Sequence, residues 1–156
     1  MKRNRMRLVI YGLLTFGTMV LIFVLSDQNG EESGGLSRWL LETPLGRLLI
    51  KILPPLTGEG ALLDIRKYAH IAEYMTLALF SVLFFKELLL ERKRFPVKAA
   101  SSACLFSFFY ACSDEIHQSF IPGRAGQFSD VMIDMKGVLI GVLLVCLISA
   151  LRKETV

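Results

Sequence analysis

Apolar residues are arranged along the chain in four long runs, which predict four membrane-spanning helices. The first run, residues 8–25, contains no charged residue, and at about 1.5 Å per residue it reaches about 27 Å, close to the thickness of a bilayer's hydrocarbon core. The later runs, residues 68–85, 99–121 and 131–151, carry polar residues mainly near one end. We therefore expect an all-α, polytopic membrane protein, a four-transmembrane-helix bundle forming a single domain over residues 1–156.

The segment between the first two runs, residues 26–66, is predicted to be an extracytoplasmic amphipathic loop. Thr43-Pro44 is typical of an N-cap followed by a proline in the first helical turn. On either side of this break, leucines recur at helical spacing, and Trp39 suits a membrane interface. We expect two short amphipathic pieces that lie flat in the outer interface, with an ordinary folded loop as the alternative. Their apolar residues are Leu36, Leu40, Leu45, Leu48, Leu49, Ile52 and Leu53.

Composition agrees with a membrane environment. Of the 156 residues, 53% are hydrophobic and 21% are charged, with a mean hydropathy of +0.52, which is more apolar surface than so small a soluble body can bury. Disordered, disulfide-built and ordinary soluble proteins are excluded on these grounds. Because Ser26-Asp27-Gln28 follows the first run in place of small cleavage-site residues, we expect an uncleaved anchor. The three cysteines lie in apolar runs and are expected to be reduced.

Basic residues predict the orientation of the chain. We place the amino terminus, the 86–98 connection and the carboxyl terminus inside the cell. Eleven of the eighteen Lys and Arg residues then lie inside with three of the fourteen acids, giving +8 there and −4 on the other side. This is the distribution that the positive-inside rule requires. The formal net charge of +4 is thereby explained without a nucleic-acid partner.

Ionisable residues interrupt the last three runs at a common level. Helical rise places His70, Glu73, Asp114, His117 and Asp134 about 18–27 Å from the inner boundary, in the outer third of the core. Burying a carboxylate at such a depth costs a few kcal/mol, so these side chains should face the bundle interior, pair with one another or line a wet cavity. The pattern predicts a polar pocket at the outer leaflet.

Each of these runs carries a polar stripe at helical spacing, and the stripes can meet around that pocket. The stripes comprise Arg66, His70 and Glu73; Ser107, Tyr110, Asp114 and Gln118; and Asp130, Asp134, Gly137 and Gly141. The two glycines form a small-xxx-small pattern that allows close helix packing. Lys136 lies off its stripe, and it either pairs with an acid on another helix or extends outward.

Pro122-Gly123 predicts a turn between the third and fourth runs, which places Arg124 on the rim of the pocket. A guanidinium there can bind a phosphate or a carboxylate. It can equally form an ion pair with Asp130 or Glu115. The sequence leaves both roles open.

The candidate residues support acid-base chemistry or metal binding. The catalytic candidates are His70, Glu73, Asp114, Glu115 and His117, and the substrate-binding candidates are Lys67, Gln118, Arg124, Asp130 and Asp134. In the acid-base version, His117 and Glu115 handle protons, while Arg124 and Lys67 fix an anionic head group. In the metal version a divalent cation is bound by His70, Glu73, Asp114, Asp130 and Asp134, although the chain has no HExxH motif or cysteine cluster to strengthen it.

Several of these residues occur in motifs that together resemble those of the VanZ-like family of small bacterial membrane proteins. The motifs, between about Ser26 and Gly141, are Ser26-Asp27-Gln28, Lys67-Tyr68-Ala69-His70-Ile71-Ala72-Glu73-Tyr74, Ser113-Asp114-Glu115-Ile116-His117-Gln118, Pro122-Gly123-Arg124, Asp130, Asp134, Gly137 and Gly141. The resemblance implies a protein of the bacterial cytoplasmic membrane. The family's namesake is associated with resistance to teicoplanin, a lipid-bearing glycopeptide that binds cell-wall precursors.

Four functions are consistent with this sequence. The first is a membrane-embedded enzyme acting on a lipid-linked envelope substrate. The second is a non-catalytic module that binds a lipid-linked cell-wall precursor or a lipoglycopeptide. The third is a small transporter, which with four spans would have to be oligomeric. The fourth is a charge network that only joins the helices.

Overall fold

The computed structural model describes residues 4–91 and 95–151, and all regular secondary structure in those ranges is α-helical. In chain order the helices are α1 (Arg5–Ser26), α2 (Gly30–Glu42), α3 (Pro44–Ile52), α4 (Ala61–Leu88), α5 (Val97–Gln118) and α6 (Phe128–Leu151). The prediction of an all-α chain is confirmed. Helices α1, α4 and α6 cover their predicted runs, whereas α5 ends at Gln118, three residues before the predicted end of the third run.

Among the described residues, α1, α4 and α6 are the helices long and apolar enough to cross a membrane. Helix α5 is 22 residues long, but serines and the acids Asp114 and Glu115 are interspersed with its apolar residues. Three of the four predicted spans therefore have both the length and the composition of a membrane helix. Large apolar side chains such as Leu13, Phe16 and Leu143 are exposed on the outer faces of α1 and α6, as on helices that face lipid.

Helix α4 is the central element of the bundle. It packs most extensively against α6 and also contacts α1 and α5. Its side chains Tyr74, Leu77 and Val82 are completely buried. Small residues on α5, including Ala99 and Ala103, are buried against this core and allow the helices to approach closely. The three cysteines are unpaired and partly buried.

Helices α4 and α6 approach each other closely at the predicted glycine pair. A Cβ atom at Gly137 would lie 2.2 Å from the Ile71 carbonyl oxygen, and one at Gly141 would lie 2.5 Å from that of Met75. No side chain fits at such separations, so glycine is required for this backbone contact. The neighbouring Lys136 is exposed. This agrees with the second of its two predicted alternatives, in which the side chain extends outward.

Helix α4 begins at Ala61, seven residues before the predicted second span. Asp64 stabilises this earlier start, since its Oδ1 accepts hydrogen bonds from the backbone N–H of Leu56 at 3.0 Å and from that of Thr57 at 2.8 Å. Ile65 is buried on the same turn. The charged residues Arg66 and Lys67 stand just before the apolar run, but the helix begins several residues before them.

Residues 30–52 form two helices on either side of the predicted break. Thr43 is the N-cap of α3, its hydroxyl accepts a hydrogen bond from Gly46 N–H at 3.0 Å, and Pro44 occupies the first turn, which confirms that local prediction. At the start of α2, Asn29 and Glu32 form a reciprocal capping box. Helix α2 packs on α4 and α3 packs on both.

The helices α4 and α5 are joined by residues 89–96, of which 92–94 lie outside the described residues. Glu91 supplies the cap that α5 lacks locally, because its carboxylate accepts a hydrogen bond from Ala99 N–H at 2.8 Å. Several basic residues on which the predicted orientation depends also lie outside the described residues: Lys2, Arg3, Arg92, Lys93, Arg94, Arg152 and Lys153.

We expect Gly137→Ala to destabilise the bundle, because the added methyl group meets the Ile71 carbonyl. Overpacking of this kind costs about 1–3 kcal/mol. Gly17→Ala on α1 is the matched control, since a Cβ there has no atom within 4 Å. Thermal unfolding of the two variants in the same detergent checks this. Equal melting temperatures would contradict the assigned α4–α6 contact.

Candidate functional site

The polar residues gather at one end of the bundle, which we call the polar end. Here α1 and α5 terminate and α4 and α6 begin, because the α4–α5 and α5–α6 connections each reverse the chain. The predicted convergence of polar residues from three runs is therefore realised. The structure also adds α2 and the end of α1 to the same region.

Asp114 joins three helices at the polar end. Its Oδ2 accepts hydrogen bonds from Ser26 Oγ of α1 at 3.0 Å, Gln118 Nε2 of α5 at 3.0 Å and Tyr74 Oη of α4 at 3.4 Å. All four residues are buried. A buried carboxylate with three donors is well compensated, so Asp114 and Gln118 have structural partners.

Arg124 lies in the connection between α5 and α6 and binds the end of α1 and the start of α2. Its Nη1 donates to the Ser26 carbonyl and its Nη2 to Ser33 Oγ, both at 2.9 Å. Nearby, Gly30 N–H donates to the Pro122 carbonyl at 3.2 Å, which holds α2 against the same connection. Within the described residues Arg124 makes no ion pair, so the predicted alternative of a pair with Asp130 or Glu115 is not realised.

A cleft lies beside these contacts, between α2 and α4, and its empty space is about 490 Å³ when the part open to solvent is included. One side is mainly apolar and contains Leu25, Leu36, Leu40 and Ile65; the polar lining consists of Gln28, Ser33, Ser37, Arg66, His70, Glu73 and Arg124. An apolar cleft with a few converging polar groups is the usual form of a ligand site. The cleft is therefore the best candidate for the functional site.

Two guanidinium groups face this cleft. Burial lowers the pKa of Arg124, and the nearby charge of Arg66 lowers it further, while Asp114, Glu115 and Glu73 act in the opposite direction. Arg66 has no hydrogen bond or ion pair with any residue that the structure describes. The cleft thus contains two cations whose charge no carboxylate contacts directly.

His70 lies between two carboxylates at the back of the cleft. Its Nδ1 is 3.7 Å from Asp134 Oδ1 and 3.9 Å from Glu73 Oε2, close but outside hydrogen-bonding distance. Asp134 is 1% exposed. The described residues provide no hydrogen-bond partner for His70 Nδ1, Glu73 Oε2, Asp134 Oδ2 or Arg124 Nε, all of which are buried. Unpartnered buried polar atoms are rare and need an explanation.

Other predicted site residues are engaged outside the cleft. Lys67 forms a salt bridge with Asp130, which joins the second turn of α4 to the first turn of α6. Glu115 accepts a hydrogen bond from the backbone N–H of Gln127 at 2.9 Å and so supports the α5–α6 connection. Lys67 does not join Arg124 on a shared anion site.

His117 lies on a different face of α5. Its Nε2 is 3.2 Å from Asp27 Oδ1, and its ring stacks on Phe23 with centroids 4.7 Å apart. Asp27 is largely exposed. The structure thus separates His117 from Glu115, and neither residue lines the cleft, so the predicted proton-handling pair is not brought together there.

The candidate metal ligands are divided in the same way. Asp114 and Asp130 have partners outside the cleft, whereas His70 and Glu73 line it and Asp134 lies next to His70. Within the described parts of the chain, no group of three or more His, Cys, Asp or Glu side chains is arranged to hold a metal ion. The predicted five-ligand set does not assemble.

A comparison with protein families identifies the chain. A family model described as VanZ/LLP1 matches residues 9–149. The chain belongs to the VanZ/LLP1 family. No curated protein and no solved structure matches it. Family membership and the three candidate spans indicate that this VanZ/LLP1 chain is a membrane protein.

The sequence placed Arg66 on the polar stripe with His70 but did not name it as a binding residue, and it assigned no role to the cleft residues Ser33 and Ser37. A binding role for Arg66 could have been inferred from the spacing, because Arg66 precedes His70 by four residues and so lies on the same helix face. The serines and Leu36 and Leu40 lie on one face of α2, but the sequence does not say which helix that face contacts. The α2 wall of this VanZ/LLP1 cleft depends on contacts distant in sequence, made through Arg124.

We expect Asp114→Ala to lower the free energy of unfolding by about 1–3 kcal/mol, because three buried donors lose their acceptor. Glu59→Ala, which removes an exposed carboxylate, should have little effect. Unfolding of both variants in mild detergent, followed by circular dichroism, measures the difference. If Asp114→Ala is as stable as Glu59→Ala, the hydrogen-bond cluster does not support the polar end.

Proposed function

We propose that the protein is a four-span bundle of the bacterial cytoplasmic membrane with both termini inside the cell. At about 1.5 Å per residue, α5 is about 33 Å long and matches the hydrocarbon core. It packs along both α4 and α6, which protect its polar face from lipid. In this orientation the polar end lies at the outer leaflet, and α2 and α3 lie near the outer interface, where the exposed Trp39 is favourable.

A topology experiment tests the role of α5. Reporter domains fused before Met1 and after Val156 should both report the cytoplasm, since an even number of spans returns the chain to its starting side. If only α1, α4 and α6 cross, the two reporters will lie on opposite sides. If both reporters lie outside the cell, the proposed orientation is wrong, but the number of spans is still even.

We infer further that the cleft binds an amphiphile with an anionic head group from the outer leaflet, such as a lipid-linked cell-wall precursor. The observation that carries this proposal is the pair Arg66 and Arg124, whose guanidinium groups lack any carboxylate contact within the described residues. Guanidinium groups bind phosphate and carboxylate through strong, directional hydrogen bonds. The apolar lining from Leu25, Leu36 and Leu40 suits the attached hydrocarbon chain.

This function is consistent with the association of the family's namesake with teicoplanin resistance. A protein that holds or processes a lipid-linked precursor changes how much of it a glycopeptide can reach. Direct binding of a lipoglycopeptide such as teicoplanin would use the same two features, an anionic group and an alkyl chain. A transporter would need a route through the bundle, but the core between α4 and α6 is closed by the Gly137 and Gly141 contacts.

We expect Arg66→Ala to weaken binding of dodecyl phosphate by about 10- to 150-fold, since a charge-assisted hydrogen bond contributes about 1.5–3 kcal/mol. Arg38→Ala is the matched control, because Arg38 is an exposed arginine of α2 outside the cleft. Both variants and the wild type are titrated with the amphiphile in a zwitterionic detergent. Equal affinity of the Arg66→Ala and Arg38→Ala variants would overturn the assigned head-group site.

A further inference from the structure

We propose that the cleft hydrolyses a terminal phosphate group on its amphiphilic ligand, with His70 as the general base. This inference rests on the proposed function, and it adds a reaction and a substrate class to the binding site. The substrate is an amphiphile ending in a phosphate monoester or a diphosphate. A phosphodiester lipid has no terminal phosphate and is excluded.

The orientation of the His70 ring is the first observation. Nδ1 is buried and faces the carboxylates of Glu73 and Asp134, at 3.9 Å and 3.7 Å. His70 also lines the cleft, so Nε2 is the nitrogen available to a ligand. A carboxylate next to Nδ1 keeps the proton on that nitrogen and leaves a lone pair on Nε2. Such contacts are often long before the substrate binds.

The two guanidinium groups are the second observation. Arg66 and Arg124 line the same cleft as His70. Arg124 donates only to neutral oxygens, those of Ser26 and Ser33. A terminal phosphate carries up to two negative charges, whereas a carboxylate or a phosphodiester carries one. Two cations match the doubly charged group, and they would also stabilise the charge that develops during phosphoryl transfer.

The third observation is that the site residues lack the hydrogen-bond partners that residues with a purely structural role have. Asp114, Glu115 and Asp130 have direct hydrogen-bonding or ionic partners, as groups that join helices require. In contrast, His70, Glu73, Asp134 and Arg124 each have a buried atom without a partner among residues 4–91 and 95–151. These four ionisable groups lie in or beside the cleft, where a ligand or a water molecule can complete them. Among the described residues, the hydroxyls of Ser81 and Ser107 are also buried without a partner, and they lie outside the cleft.

The reaction consumes one water molecule. Nε2 of His70 takes a proton from this water as the water oxygen forms a bond to the terminal phosphorus. The bond from phosphorus to the oxygen that links it to the rest of the lipid breaks, and that oxygen keeps the electron pair. The proton on His70 then passes to the leaving oxygen or to solvent. The products are inorganic phosphate and a lipid with one fewer phosphate group, with no change in oxidation state.

The test uses the purified full-length protein in detergent and measures the release of inorganic phosphate. The probes are dodecyl phosphate, dodecyl diphosphate and a phosphodiester lipid as the negative control. We expect release from at least one of the two dodecyl probes, which shows whether the substrate is a monoester or an anhydride. No release is expected from the phosphodiester.

Three variants assign the roles. We expect His70→Ala to lower kcat by about 100-fold or more, the size of a general-base contribution, with the KM changed by less than about threefold. Asp134→Asn, which keeps the side-chain volume, should also lower kcat with little change in KM if Asp134 positions His70. Lys51→Ala on α3, exposed and outside the cleft, should retain wild-type kinetics.

Binding and catalysis fail separately in this design. If the wild type binds dodecyl phosphate but releases phosphate from neither dodecyl probe, hydrolysis is overturned and the binding function stands. If it binds neither dodecyl probe, both proposals fall. Release that persists in His70→Ala overturns the role of His70. A parallel loss of kcat and folded protein in both His70→Ala and Asp134→Asn would assign these residues to stability and overturn their catalytic roles.

Discussion

The carboxylate of Asp114 holds the end of α1 against α4 and α5, and the cleft depends on this contact. Ser26 donates to Asp114, and its own carbonyl accepts from Arg124, which in turn binds Ser33 of α2. A short chain of hydrogen bonds therefore runs from the bundle core to the outer wall of the cleft. In a low-dielectric environment such a buried network is stable only when its members are satisfied, and those around Asp114 are.

The same physical rule distinguishes the two groups of polar residues at this end. Groups that join helices form complete contacts, as in the pair of Lys67 and Asp130 and in Glu115 with the backbone of Gln127. The residues around His70 are close together but incomplete. A polar group in a membrane helix that has no structural partner is a functional candidate by default. Position along the helix does not distinguish the two groups, whereas the pattern of contacts does.

The sequence predicted most of the fold and part of the site. The long helices could be predicted because apolar runs are a local pattern of the sequence. The close α4–α6 contact could be predicted for the same reason, from the spacing of Gly137 and Gly141. The length of the apolar run underestimated the length of α4, because a helix can extend beyond the hydrocarbon core. His117 was misplaced among the pocket residues because a position one residue from Gln118 lies about 100° around the helix. The α2 wall could not be predicted, since it depends on contacts across more than eighty residues.

The two walls of the cleft differ in the kind of residue they provide. Helix α2 contributes only leucines and serines to the lining, whereas the ionisable residues come from α4 and the α5–α6 connection. Substitutions on α2 can therefore reshape the hydrocarbon-facing side while every ionisable group of the cleft stays in place. Under the proposed lipid-binding function, evolutionary drift in this one short helix would adapt the protein to lipids of different branching or length.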